Sequence, residues 1–176
     1  MSGMGDTIRI LHVDDDPNLL QMVATFLERE DDRIKVQTAT NADAGQGVLD
    51  DHDIDCVISD YDMPGQNGIE LLEQVRAEHP DLPFILYTGK GSEEVAATAI
   101  SAGVTDYLQK DTGSDQYTIL ANRVVNAVDG YRAEREAAQI RAQLEAISEH
   151  STDAIVICDA DSRIQFANPA VEDLFG

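Results

Sequence analysis

Five polar residues stand where short apolar runs end. Asp14 and Asp15 follow Ile8–Val13, Asp60 follows Cys56–Ser59, Thr88 follows Phe84–Tyr87 and Lys110 follows Asp106–Gln109. Three carboxylates, a hydroxyl and an ammonium could bind a divalent cation and accept a phosphoryl group. Carboxylates clustered at a strand end are unfavourable unless a cation neutralises them. Their oxygen donors suit Mg2+, which keeps several waters and takes only a few carboxylates. Asp60 is the candidate nucleophile, because a carboxylate can attack phosphorus to form an acyl phosphate while a metal offsets the transition-state charge. Lys110, a compact cation on a flexible stem, suits a phosphoryl oxygen. Thr88 can donate to another oxygen, and Gly89 leaves room for the phosphate. Alone, Thr88 would be a strand-end cap and Lys110 a surface charge; together, in order on four strands, they point to one site.

The elements that must bring these residues together alternate between two periodicities. Strands are expected at Ile8–Val13, Ile34–Thr38, Cys56–Ser59, Phe84–Tyr87 and Asp106–Gln109. Helices are expected from Pro17 to Glu28, Asn41 to Asp50, Gly68 to Glu78 and Glu93 to Ser101. Pro17 is well placed in a first helical turn. Such alternation predicts an α/β, doubly wound, five-stranded parallel sheet with right-handed crossovers. Residues just past successive parallel strands emerge at one edge of the sheet.

The motifs resemble those of the receiver domain of two-component response regulators, the family of the single-domain chemotaxis regulator. The matching stretches are Ile10–Pro17, Asp60–Gly68, Phe84–Gly89 and Tyr107–Lys110, within about Ile8 to Asp129. The resemblance implies a flavodoxin-like receiver fold with strand order 2-1-3-4-5. It implies Asp60 as phosphoacceptor, Asp14, Asp15 and Asp60 as the acidic pocket, and the backbone carbonyl of Asp62 as a further metal ligand. Thr88 and Tyr107 would form the switch pair. The implied partner is a histidine kinase or phosphotransfer protein, and the implied cofactor Mg2+. One departure stands out: the family usually has proline after its lysine, often with a cis bond, and here Asp111 follows Lys110.

A long helix is expected from about Asp115 to Ser148, with two apolar stripes. Leu120, Val124, Ala127 and Tyr131 form the stripe expected to dock on the sheet. Ala133, Ala137, Ile140, Leu144 and Ile147 follow with the spacing of a coiled-coil seam, and the phase slips near Gly130. The seam predicts a parallel homodimer through the C-terminal helix. Beyond it, Ala154–Cys158 and Arg163–Ala167 read as a hairpin, with Asn168-Pro169 opening a short helix. This part resembles the opening of a PAS sensor domain. The expected organisation is therefore a receiver domain at residues 7–129, a coiled-coil-like signalling helix at 130–150 and the beginning of a PAS-like domain at 151–176.

Composition narrows the function classes. The chain has 176 residues, with 34 Asp+Glu against 12 Lys+Arg and a formal net charge of -22. That charge repels a phosphate backbone, so direct nucleic-acid binding is not expected. Lys35, Lys90 and Lys110 are the only lysines. A carboxylate-rich, lysine-poor chain resembles proteins of salt-loving microbes, and a haloarchaeal source is expected. No stretch approaches the ~18–20 apolar residues of a membrane helix, and Met1–Asp6 carries no basic-then-apolar signal; the expected location is the cytoplasm. Cys56 and Cys158 are expected as buried small hydrophobes. His12 is expected in the core and His52 and His79 at the surface. His150 lacks the following Glu and basic residue of a kinase phosphodonor.

The chain is thus expected to be a phosphorylation-controlled switch and not an enzyme. Two alternatives use the same residues. Asp60-Tyr61-Asp62 has the Asp-x-Asp spacing of one class of Mg2+-dependent aspartyl-phosphate phosphatase. A dimerising scaffold with a non-functional pocket would need none of the chemistry.

Overall fold

Buried strands dictate the architecture. Ile8–Val13 (β1), Cys56–Ser59 (β3) and Phe84–Thr88 (β4) are buried almost throughout, as strands covered on both faces must be. In a computed structural model, which describes residues 7–89, 91–149 and 153–171, they form the middle of a parallel sheet. Ile34–Ala39 (β2) and Asp106–Gln109 (β5) are its edges, and the order is β2-β1-β3-β4-β5.

Successive residues of each strand point to opposite faces, and each face has its own core. Leu11, Val13, Val57, Phe84 and Leu86 pack with α2 (Ala42–Asp51), α3 (Gly68–Glu78) and Ala99 of α4 (Glu93–Ser101). Ile8, Ile10, Ile58, Ile85 and Tyr87 pack with α1 (Pro17–Glu30) and the first part of α5 (Asp115–Glu149). This is the doubly wound arrangement.

Side-chain caps start the helices that leave the carboxyl edge. Asp16 accepts from the N–H groups of Asn18 and Leu19, with Pro17 in the first turn. Asn41 caps α2, Ser92 caps α4, and Asn67 with Glu70 forms a capping box on α3. Asn41 lies just outside the helix that the periodicity begins on it, because its side chain accepts from Ala44 N–H. At the opposite edge the Arg76 guanidinium donates to the carbonyls of Leu82 (2.6 Å) and Gly103 (3.0 and 3.1 Å). Thr105 Oγ1 accepts from Phe84 N–H at 2.9 Å, closing the amino ends of β4 and β5.

The chain divides into two units between Tyr131 and Arg132. In the first unit α5 docks through Tyr117, Leu120, Ala121, Val124 and Val128. Ala127 and Tyr131, expected in that stripe, are half-buried, and Val128 takes the buried position. In the second unit Val156–Cys158 (β6) and Ile164–Ala167 (β7) pair antiparallel across a turn. The Asp159 carboxylate holds that turn, accepting from the N–H groups of Asp161 and Arg163, each at 2.9 Å. Asn168 is buried and fully used: Nδ2 donates to the carbonyls of Ser148 and Asp153, and Oδ1 accepts from Ile155 N–H. Cys56 is buried as expected, but Cys158 is exposed, because β6 presents its side chains outward. His150 lies outside the described residues.

Candidate functional site

The parallel order places the ends of β1 and β3 side by side, with Val13 in register with Ser59. Asp14, Asp15 and Asp60 are the next residues. Each offers a carboxylate oxygen, and these oxygens lie within 4.8 Å of one another. Asp14 and Asp60 are buried, while Asp15 is exposed at the mouth. Asp14 Oδ1 accepts from Asp16 N–H at 2.9 Å, so the start of α1 orients it.

The ends of β4 and β5 bring in the other groups. Lys110 N–H donates to the Thr88 carbonyl at 2.9 Å, extending the β4–β5 pairing past its last register pair. Lys110 Nζ lies 2.7 Å from Asp14 Oδ2 and 3.5 Å from Asp60 Oδ1. The buried Thr88 hydroxyl hydrogen-bonds the Asp60 carboxylate, and Tyr61 N–H donates to Asp60 Oδ1 at 2.9 Å. Burial pushes the Asp60 carboxyl above the usual carboxylate range, and the neighbouring Asp14 pushes the same way. The Lys110 ammonium, Tyr61 N–H and Thr88 hydroxyl pull it down. Asp60 is thereby a partly desolvated carboxylate held by three donors.

Of the remaining expected residues, Tyr107 is half-buried and packs against the α2–α3 side of the core, and the side chain of Asp62 is exposed. A Cβ built at Gly89 meets only Lys110 Cδ, at 4.0 Å. The peptide bond between Lys110 and Asp111 is trans.

Two residues near the site escaped the reading of the sequence as functional positions. A Cβ on Gly68 would stand 2.1 Å from the Asp60 carbonyl oxygen and 2.9 Å from Leu86 Cδ1. Only glycine lets α3 start this close to the strand that carries Asp60. Its place at the end of the Asp60–Gly68 stretch was the available signal. Gln116, in the first turn of α5, accepts from Tyr87 O–H and from Asp111 N–H, and donates to the Asp111 carbonyl. Nothing in hydropathy marks it.

Residues 10–122 match the family model of the response regulator receiver domain. The chain belongs to that family. Residues 142–176 match a PAS domain model. A receiver domain is the regulatory phosphoacceptor of a two-component system; it binds Mg2+ at an acidic pocket and works with a histidine kinase or phosphotransfer partner. The chain is 30% identical to the nitrogen assimilation regulatory protein NtrX of Azorhizobium caulinodans over 74% of its own length and 29% of that protein's. It is 30% identical to a chemotaxis protein CheY homolog of Campylobacter jejuni, over 58% of this chain and 81% of the homolog. The chain thus spans under a third of the nitrogen assimilation regulator and most of the chemotaxis protein homolog. A CheY-like receiver domain protein from Methanospirillum hungatei superposes with a TM-score of 0.66 at 27% identity, covering 73% of this chain and 98% of that one. The response regulator TrrA of Thermotoga maritima, solved in complex with Mg2+ and BeF, gives 0.59 at 25% identity over 67% and 99%. Among the described residues no helix is long and apolar enough to cross a membrane.

Proposed function

We propose that Asp60 accepts a phosphoryl group, with Mg2+ bound, from a histidine kinase or phosphotransfer protein, and that the phosphorylated state acts on a PAS-containing output through the helical linker. The observation that carries this reading is the meeting of three carboxylates within 4.8 Å with one ammonium, Lys110, that touches two of them. The donor set fits Mg2+: hard oxygens, few in number, with the exposed Asp15 facing water. Asp14, Asp15, Asp60 and the Asp62 carbonyl are the proposed ligands. When bound, the ion supplies positive charge against the oxygens of the transferring group.

An Asp60 carboxylate oxygen attacks phosphorus. The new O–P bond forms as the donor's N–P bond breaks, and the leaving imidazole takes up a proton. Lys110 shifts from the carboxylates to a phosphoryl oxygen, and the Thr88 hydroxyl turns from Asp60 to another. Tyr107, which pairs with Leu86 two residues before Thr88, fills the space behind the threonine. The receiver domain is assigned to residues 7–129, the signalling helix to 130–150 and the PAS-like part to 151–176. Ala133, Ala137, Ile140, Leu144 and Ile147 are assigned to a homodimer seam; Ile140, Leu144 and Ile147 are exposed in the single chain. With a net charge of -22, self-repulsion is relieved by salt, which agrees with a cytoplasm rich in salt.

Incubation with Mg2+ and acetyl phosphate at high salt should give a hydroxylamine-labile adduct on the wild-type chain and none on Asp60→Asn. A wild-type chain that forms no adduct sinks this reading. Rapid multiple turnover of a phosphomonoester would favour the phosphatase alternative instead.

A further inference from the structure

Where the family usually has proline, this chain places Asp111, and a side chain reaches back to hold it. Gln116 Oε1 accepts from Asp111 N–H at 3.0 Å, while Nε2 donates to the carbonyl of the same residue. The amide grips the backbone N–H and carbonyl of one residue, as a neighbouring strand would. Oε1 accepts a second hydrogen bond, from the hydroxyl of Tyr87. The orientation of the amide is determined by this network, because a flip would set Nε2 against Asp111 N–H, donor to donor.

Both ends of the clamp reach the phosphoacceptor pocket. Asp111 directly follows Lys110, whose N–H is tied to the Thr88 carbonyl and whose Nζ is bound to Asp14. Tyr87 precedes Thr88, is 1% exposed, and has its ring centroid 5.7 Å from Lys110 Nζ. The half-buried Gln116 therefore joins the residue before Thr88, the residue after Lys110 and the first turn of α5. A proline at 111 would fix its own φ through the ring and would lack the N–H that Gln116 binds.

We propose that Gln116 is a positioning residue for phosphoryl acceptance: its amide holds the Lys110–Asp111 turn, does by hydrogen bonds what a proline ring does covalently, and ties Lys110 to the start of α5. This rests on the phosphoacceptor reading of Asp60. Because the turn is held by hydrogen bonds, it can be let go and re-formed.

The experiment follows the rate of adduct formation on Asp60 with Mg2+ and acetyl phosphate at high salt, with circular dichroism to verify folding. Gln116→Leu keeps the side chain's bulk and removes its hydrogen bonds. Its rate should fall about tenfold, the effect expected when two or so hydrogen bonds no longer hold a reacting group in place. Adding Asp111→Pro to Gln116→Leu should bring the rate back to within about twofold of wild type, because the ring fixes the turn without the amide. A simple role in anchoring α5 would not be rescued by proline five residues away. Should Gln116→Leu fail to fold, Tyr87→Phe carries the test and should slow acceptance about threefold, as loss of one hydrogen bond does. An unchanged rate in Gln116→Leu, a slow Gln116→Leu that proline does not rescue, or in the fallback an unchanged Tyr87→Phe overturns the inference while leaving the phosphoacceptor reading intact. A wild-type chain without any adduct overturns both.

Discussion

In the first unit a polar ring is sealed inside; in the second, large aliphatic side chains stand outside. His12, on β1, is fully buried, and neither ring nitrogen has a hydrogen-bond partner among the described residues. Ile140, Leu144 and Ile147 on α5 are 50%, 54% and 66% exposed, and Val156, Ile157 and Ile164 on the hairpin are exposed too. The apolar run Ile155–Cys158 reads in sequence much as Ile8–Val13 does, yet one is open and the other is covered on both faces. A strand's composition tells what it would bury, and the rest of the unit decides whether it does. The first unit covers its sheet with five helices' worth of apolar surface, so even an imidazole can be enclosed. Within the second unit, Leu144, Ile147, Ile155, Ile157 and Phe166 line an open apolar cavity of about 390 Å³.

The largest effect that would sharpen the contrast is expected at Gly68. Gly68→Ala places a methyl carbon 2.1 Å from a backbone oxygen. Strand and helix must move apart, at a loss of roughly 3 kcal/mol measured by urea unfolding. A loss below ~1 kcal/mol would mean the first unit is less tightly closed than described.

An effect of similar size, confined to acid, is expected at His12. Burial lowers its pKa from 6.5 to about 4, with Asp14 pulling upward and Lys110 downward. The unfolded chain takes up the proton at the ordinary value, whereas the folded chain refuses it until far lower pH. Stability is therefore full above pH 6.5 and is lost as pH falls toward 4, by about 3 kcal/mol. His12→Leu should remove that part of the acid slope. If wild type and variant lose stability in parallel between these limits, the core admits the imidazolium and the contrast breaks.

The smallest effect on folding is expected in the second unit. The paired change Ile140→Asp and Leu144→Asp should alter unfolding of the first unit by less than ~0.5 kcal/mol, as exposed substitutions do. It should convert dimer to monomer in light scattering at molar salt. A wild-type chain that is monomeric there removes the dimer proposal.

The sheet was legible because its three central strands are runs rich in branched and aromatic residues, flanked by caps and turns, and the edge strands keep a few such residues in step. Asp16, Asn41, Asn67 and Ser92 announce helix starts through their own side chains, so boundaries differed by one or two residues at most elements. The meeting of Asp14, Asp15, Asp60, Thr88 and Lys110 was legible because parallel topology fixes which strand ends share an edge. Other features were not. Exposure of Cys158 depends on what covers β6, which the local pattern does not encode. The exchange of Ala127 for Val128 on the docking face is a rotation of the helix too small for its stripe to reveal. The Gln116 grip on Asp111 joins two polar loop and helix residues whose types carry no periodic signal.

The Arg76 guanidinium and Thr105 hydroxyl have a mechanical consequence. They bolt β4 to β5 at one end, through Leu82, Gly103 and Phe84. Strand β5 is four residues long, ~13 Å at the usual rise, and Lys110 hangs from its other end. It is a short lever with a fixed pivot. Beyond the Lys110–Thr88 backbone hydrogen bond, the first side-chain tie a pull on Lys110 would meet along the chain is the Gln116 grip on Asp111. Along β5, such a pull would reach α5 through Gln116 after one residue and α3 only through Arg76 at the far end.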